Sequence, residues 1–217
     1  VGQHAAAPPL ARAELERRLN GGPCTRQQLR FFKEQGYIIL ESLIPCRALD
    51  AWRSQIWKHF GSSLETPATW PDNRVIEDFT FDDPSLAFGR LPEVTAVVEQ
   101  LGGGQFAEAD GWPLFTWPAP PGTEYVFPHT CHLDAYGDPW QPFMLGATAY
   151  LYDVAERGGG FGFWPGSHLS THRHFVENPE QIDGRFRQRQ GWSWAEFSDR
   201  SPEPARQFTG KAGDVIF

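Results

Sequence analysis

The segment from residue 143 to residue 152 constrains the fold most, because its side chains alternate along its whole length. Successive side chains of an extended strand point to opposite faces, so alternate residues share a face. One face is apolar and carries Phe143, Leu145, Ala147, Ala149 and Leu151. The other carries Met144, Gly146, Thr148, Tyr150 and Tyr152. The pattern predicts a β-strand with two distinct faces.

The N-terminal part of the chain has helical signals instead. Thr25 and Gln28 have the spacing of a capping box, which predicts a helix over 26–35. Gly36 is placed to end this helix, because glycine readily adopts the left-handed conformation of a helix C-terminus. We expect a short strand over 37–40, where apolar residues follow one another.

Two more helices are expected from the spacing of apolar residues. Pro45 suits the first turn of one of them, and Gly61 its end. The other covers about 91–101 and is stopped by the glycines at 102–104. Their apolar faces are Leu49, Trp52, Ile56 and Phe60 in the first and Val94, Val97, Val98 and Leu101 in the second.

Strand signals dominate the rest of the chain. Further strands are expected over 105–117, 132–136, 161–164 and 215–217, the last of them after a turn at Gly213-Asp214. Helices followed by antiparallel-type strands indicate an α+β domain, mainly β, whose strands close into a sandwich or barrel.

Three segments are expected outside this regular pattern. Residues 62–90 are irregular, residues 171–209 form a polar insertion, and residues 1–22 form a loose N-terminal arm. We expect one domain over 23–217, and its C-terminal end is expected to be incomplete, because Phe217 lies within an apolar run.

Charge and cysteine content limit the partners and the compartment. The net charge of −8 disfavours nucleic acid and anionic membrane surfaces as partners. No apolar run approaches the roughly 20 residues that a membrane helix needs, and the first residues lack the apolar core of a signal peptide. Cys24, Cys46 and Cys131 are odd in number and contain no CxxC pair, which argues against a disulfide framework and a zinc ribbon. We expect an intracellular, cytoplasmic protein.

His132-Leu133-Asp134 is the strongest sign of chemistry. On a strand, residues two apart share a face, with Cα atoms about 6.5–7 Å apart. An imidazole and a carboxylate placed in this way can bind one metal ion. With a more distant histidine they form the 2-His-1-carboxylate triad, which holds Fe(II) and leaves coordination positions open. The same pair also arises by chance as a surface histidine and a solvated aspartate.

Three further motifs accompany this pair along the chain. Residues 31–45 are FFKEQGYIILESLIP, residues 158–168 are GGGFGFWPGSH and residues 213–217 are GDVIF. Together with His132 and Asp134, in this order, they resemble the phytanoyl-CoA dioxygenase family of Fe(II)/2-oxoglutarate oxygenases. The resemblance extends from about residue 25 to the end, although residues 62–104 and 171–209 carry none of it.

The resemblance implies a double-stranded β-helix, or jelly roll, with the N-terminal helices packed on one sheet. It implies that His132 and Asp134 bind Fe(II) and that Thr148 contacts 2-oxoglutarate. The implied reaction hydroxylates a small organic molecule with O2 while 2-oxoglutarate is decarboxylated to succinate. The family's second histidine ligand, and the arginine that pairs with 2-oxoglutarate, are expected beyond Phe217. His168 is expected to be a hydrogen-bonding turn residue rather than a ligand.

Several side chains allow two interpretations. His129, His168, His172 and His174 could replace the third ligand, although His172 and His174 are expected to be solvated. Cys131 could be a thiolate, or a small buried side chain. An apolar or ring-bearing substrate, or ordinary core packing, would account for Trp112, Phe115, Trp117, Tyr136, Trp140 and Trp164. An anionic substrate, or a solvated face, would account for Arg185, Arg187 and Arg189.

Three other functions stay open on the sequence. The first is a catalytically inactive jelly-roll member that acts as a small-molecule binding protein. The second is a different metal enzyme, either a cupin-type isomerase or an oxygenase that does not use 2-oxoglutarate, although two separate cupin motifs are not found. The third is a metal-free module whose aromatic side chains stack on sugars.

Overall fold

The computed structural model describes residues 11–71, 79–102, 111–115, 117–119, 122–127, 145–179 and 203–217. The helices within these ranges are α1 (Arg12–Gly21), α2 (Arg26–Gln35), α3 (Cys46–Phe60), α4 (Pro92–Gly102) and α5 (Ser167–Glu177). The strands are β1 (Ile39–Leu40), β2 (Thr148–Ala149), β3 (Gly162–Phe163), β4 (Arg206–Gln207) and β5 (Val215–Ile216). Short 3₁₀ turns occur at Pro67–Thr69, Pro84–Leu86 and Phe88–Arg90.

The strands form two small antiparallel sheets. In the first, β5 lies between β1 and β2. Ile216 is opposite both Ile39 and Thr148, and Val215 is opposite both Leu40 and Ala149. The second sheet pairs β3 with β4. The last described strand is therefore the centre of the larger sheet.

The three-stranded sheet has an apolar cluster on each face. We call the first the helix-side cluster, because it joins the sheet to α3 and α4. Its members include Ile38, Leu40, Val215 and Phe217 from the sheet region, Leu49, Trp52 and Ile56 from α3, and Val94 and Val97 from α4. The second, here the inter-sheet cluster, joins the two sheets and comprises Val154, Phe208, Ile216, Tyr37, Ile39, Tyr150 and Phe163.

The alternation predicted for 143–152 is confirmed for Leu145 to Leu151 but not for Tyr152, whose hydroxyl accepts a hydrogen bond from Trp57 of α3. Leu145, Ala147, Ala149 and Leu151 pack on the helix-side cluster. Tyr150, from the other set, packs on the inter-sheet cluster. The paired part of this segment is nevertheless only β2, because its partner β5 is itself two residues long.

Helices α2, α3 and α4 confirm the predictions made from caps and apolar spacing. In α2, the Thr25 hydroxyl accepts from the Gln28 amide at 3.2 Å, and the Gln28 side chain accepts from the Thr25 amide at 2.8 Å. Gly36 follows with φ of 77°, and its N–H donates to the Phe32 carbonyl at 2.7 Å. The capping box confirms the predicted start of this helix, and Gly36 confirms its predicted end.

Within the loose arm expected over residues 1–22, residues 12–21 form α1. Glu14 bonds to Arg17 and Arg18 at 2.8 Å along the helix surface. The side chain of the buried Gln100 of α4 forms hydrogen bonds with the backbone at the C-terminal end of α1 and just after it. Its amide nitrogen donates to the Leu19 and Cys24 carbonyls at 3.1 and 2.9 Å, and its oxygen accepts from the Cys24 amide at 2.7 Å.

Other strand predictions are longer than the strands that form. The first and last strands are confirmed as β1 and β5, and 161–164 is confirmed as β3. β1 ends at Leu40, two residues before Ser42, whose φ of 50° lies outside the extended region. Within 105–117, the described residues 111–115 and 117 show a single bridge at Leu114 instead of a strand. The strand expected over 132–136 lies outside the described residues.

The described architecture is a mixture of helices and small sheets. In these ranges helices occupy more of the chain than strands, so the expectation of a mainly β domain is not met there. The insertion expected over 171–209 begins as part of α5 and ends with β4. The jelly roll stays a prediction. None of the helices in the described ranges is long and apolar enough to cross a bilayer.

Candidate functional site

The two principal candidates, His132 and Asp134, lie outside the described residues. The same holds for His129, Cys131, Tyr136, Trp140, Arg185, Arg187 and Arg189. Thr148 is described and lies on β2, directly opposite Ile216. Residues opposite each other on paired strands share a face of the sheet. The Thr148 side chain therefore belongs to the face that carries Ile216 and the inter-sheet cluster.

Tyr150 lies on the same face as Thr148 and brings a hydroxyl group to the inter-sheet cluster. Its hydroxyl accepts a hydrogen bond from the Phe161 amide at 2.7 Å. Its ring stacks on Phe208, with centroids 4.3 Å apart and planes 5° apart, and Phe208 is fully buried. Burial raises the pKa of Tyr150, which keeps the hydroxyl protonated at neutral pH. The alternation placed Tyr150 on the correct face, but its contacts depend on residues distant in sequence.

The glycine-rich motif before the Trp-Pro-Gly-Ser-His turn allows two close approaches. A Cβ at Gly160 would overlap the Phe208 carbonyl. A Cβ at Gly162 would lie 3.1 Å from the Phe127 ring. Phe127 also meets Trp164 edge to face, with centroids 6.1 Å apart. These glycines therefore let neighbouring backbone and an aromatic ring contact the strand directly.

The Trp-Pro-Gly-Ser-His turn contacts the C-terminal end of α2. The Gly166 amide donates to the Gln35 carbonyl at 2.8 Å. The His168 Nε2 atom lies 3.0 Å from the Lys33 carbonyl oxygen. Carbonyls in the last helical turn lack partners within the helix, so this turn supplies them. The hydrogen-bonding role predicted for His168 is confirmed.

His172 and His174 lie on α5 and do not form a pair. Residues two apart on a helix point in different directions. His172 is exposed, and the His174 ring contacts Phe175 at 5.6 Å. Over the described ranges, no group of three or more His, Cys, Asp or Glu side chains could hold a metal ion. His168, His172 and His174 therefore do not build a metal site with other described residues.

Asp214, in the Gly-Asp turn, is a buried carboxylate with a structural role. One of its oxygens accepts from the Ser42 amide at 2.8 Å, and the other accepts from the Lys211 amide at 2.7 Å. Its own amide donates to the Lys211 carbonyl at 3.0 Å. The side chain thus closes the turn before β5 and ties it to the end of β1. The sequence predicted the turn but not the contact with Ser42.

The sequence of residues 32–217 matches the family described as phytanoyl-CoA dioxygenase (PhyH). The chain belongs to this family. Comparison with curated proteins finds no match, and neither does comparison with solved structures. The matched range includes His132, Asp134 and the described elements from β1 to β5.

Membership in the phytanoyl-CoA dioxygenase family supports an oxygenase-type enzyme that acts on a small molecule and O2. Members of this family are in general Fe(II)- and 2-oxoglutarate-dependent and have a jelly-roll fold. The glycine-rich motif, the turn at His168 and the Gly-Asp turn all lie inside the matched range. The glycine-rich motif contacts Phe127 and Phe208, the turn at His168 contacts the end of α2, and the Gly-Asp turn is tied to Ser42.

Two aromatic residues considered as pocket lining pack against α3. Phe115 and Trp117 stack on each other at 5.0 Å and contact Trp57 of α3 at 6.5 and 6.2 Å. They therefore follow the core-packing interpretation. Trp112 is 71% exposed, and Trp164 contacts Phe127.

Proposed function

We propose that this protein is a non-haem Fe(II)/2-oxoglutarate-dependent dioxygenase that hydroxylates a small organic molecule. The same turnover would decarboxylate 2-oxoglutarate to succinate. The observation that carries the proposal is the family match over residues 32–217, which includes the His132-x-Asp134 pair.

His132 and Asp134 are the proposed metal ligands. One imidazole nitrogen and one carboxylate oxygen, completed by a second histidine, are a donor set that suits Fe(II) and leaves positions open. When bound, the iron would activate O2 for hydroxylation, using electrons from the oxidation of 2-oxoglutarate. The role of the two residues is to hold the metal, and neither is needed as a general base.

Thr148 is the proposed cosubstrate contact. Its position opposite Ile216 directs it to the face where the two sheets meet. The neighbouring side chains on that face, Ile39, Ile216 and the ring of Tyr150, are apolar. A hydroxyl beside such a surface can donate to a carboxylate in a place from which water is largely excluded.

The inactive binding protein is not favoured by these observations. A protein that only bound small molecules would not need a metal-binding pair, yet His132-x-Asp134 is present within the matched range. No described feature supports a cupin-type isomerase or a sugar-binding module. Stacking on sugars would need accessible rings, whereas Phe115 and Trp117 pack against α3.

The test is an anaerobic titration of the protein with Fe(II) and 2-oxoglutarate. A chelated complex should give a weak visible charge-transfer band, and Asp134→Ala should lose both the band and the bound iron. Asp153→Ala is the matched control, because Asp153 is an exposed carboxylate that bonds to Lys211 at 2.8 Å. The proposal fails if the unmodified protein gives a flat spectrum, or if Asp134→Ala retains its iron.

A further inference from the structure

Tyr150 connects the two sheets at the position next to Thr148. Thr148 and Tyr150 are two positions apart on an extended segment, so their side chains share a face and their Cα atoms are about 6.5–7 Å apart. From β2, Tyr150 extends to the second sheet, where its hydroxyl accepts from the Phe161 amide and its ring stacks on Phe208. It thus contacts the residue before β3 and the residue after β4.

The contacted part of the second sheet is itself held tightly. The Phe161 carbonyl accepts from the Phe208 amide at 2.8 Å, so both polar groups of the Phe161 backbone are bonded. The Gln207 side chain adds a bond to the Gly160 carbonyl at 3.1 Å. Gly160 leaves no room for a side chain against the Phe208 carbonyl. Tyr150 is therefore fixed to a rigid partner, not to a loose loop.

We infer that Tyr150 is a positioning residue of the proposed site. By fixing the separation of β2 from β3 and β4, it sets where the Thr148 hydroxyl stands relative to the second sheet. The inference rests on the proposed function, in which Thr148 contacts 2-oxoglutarate. It assigns to Tyr150 an effect on cosubstrate affinity that a core aromatic residue would not have.

The test compares two substitutions of one kind. Tyr150→Phe keeps the ring on Phe208 and removes only the oxygen bonded to the Phe161 amide. Tyr152→Phe removes an oxygen that accepts from the Trp57 side chain, also at 2.7 Å, on the side of α3. Each variant loses one hydrogen bond of 2.7 Å from the same segment, but of the two tyrosines only Tyr150 bonds to the second sheet. Melting temperatures report the structural cost in both.

The readout is the equilibrium affinity for 2-oxoglutarate, measured without O2 in the Fe(II)-loaded protein. Tyr150→Phe should weaken it on the order of threefold to tenfold, the equivalent of losing the proposed hydrogen bond from Thr148 to 2-oxoglutarate, with Fe(II) affinity unchanged. Tyr152→Phe should leave the affinity as it is. Amide exchange at Phe161 should quicken in Tyr150→Phe alone.

Three results would overturn or confirm the inference separately from the proposed function. Equal 2-oxoglutarate affinity in the two variants overturns it, as does a parallel loss of Fe(II) and 2-oxoglutarate affinity in Tyr150→Phe. A selective loss in Tyr150→Phe confirms it. If the unmodified protein binds no 2-oxoglutarate, the proposed function itself has failed, and the inference fails with it.

Discussion

Replacing Gly36 by alanine should destabilise the protein by two separable effects. Gly36 ends α2 with φ of 77°, a left-handed conformation that L-residues rarely adopt. A Cβ at this position would also overlap the His168 imidazole, which is bonded to the Lys33 carbonyl. The backbone effect acts on any side chain, whereas the overlap depends on the presence of His168.

The two effects have different expected sizes. The left-handed conformation costs an L-residue about 1–2 kcal/mol. Moving the imidazole away from the new methyl group would break its bond to the Lys33 carbonyl, which is worth about 0.5–1.5 kcal/mol. Gly36→Ala should therefore lower the free energy of unfolding by about 1.5–3.5 kcal/mol.

Gly61 gives the matched control for the backbone effect. It occupies the same position at the end of α3, with φ of 61°, and a Cβ there would meet nothing within 4 Å. Gly61→Ala should cost only the backbone part, about 1–2 kcal/mol. Urea unfolding is measured for Gly36→Ala, Gly61→Ala, His168→Ala and the double variant Gly36→Ala/His168→Ala. Together they give the backbone cost, the cost of losing the His168 bond and the coupling between the two substitutions.

The double variant decides whether the overlap matters. If the reasoning holds, it should be no less stable than Gly36→Ala, because the bond to Lys33 is already lost there. Strictly additive losses would refute the proposed overlap. Equal losses in Gly36→Ala and Gly61→Ala would do the same, since they would leave only backbone strain.

Two further predictions concern carboxylates. Asp214→Asn should lower the free energy of unfolding by about 1–3 kcal/mol, because the single oxygen of an amide can accept from only one of the Ser42 and Lys211 N–H groups. Hydrogen exchange at these two amides should quicken, and unchanged exchange at both would contradict the prediction. The hydrogen bonds from Arg17 and Arg18 lower the pKa of Glu14 from 4.5 to about 2. Its stabilising effect should thus be complete above pH 4.5 and lost as the pH falls through about 2, so urea unfolding of Glu14→Gln and the unmodified protein should converge on acidification.

Local signals in the sequence were sufficient for several elements. Thr25, Gln28 and Gly36 determine α2 through contacts within a few residues, so the pattern alone predicts both of its ends. The alternation likewise predicts that Leu145, Ala147, Ala149 and Leu151 face the helices, because the period of a strand is a local property. The turn at Gly213, where φ is 90°, could be predicted because it too depends on local sequence.

Contacts between distant residues account for what the sequence did not predict. Helix α1 is polar on most of its surface, and Gln100 secures its end from α4. The role of Asp214 depends on Ser42, which lies 172 positions away. For the candidate site, the sequence places Thr148 on the face opposite the apolar one but gives no sign that Tyr150 reaches Phe161. His132 and Asp134 stay predictions.

The central place of β5 affects how the protein can be made. During translation β1 leaves the ribosome long before its partner Ile216, which lies far later in the sequence. Until then the edges of β1 and β2 have no strand between them, and nascent chains with unpaired edges are prone to aggregate. We therefore expect the sheet to close only after β5 has been synthesised, and to close slowly, since pairing between distant segments slows folding.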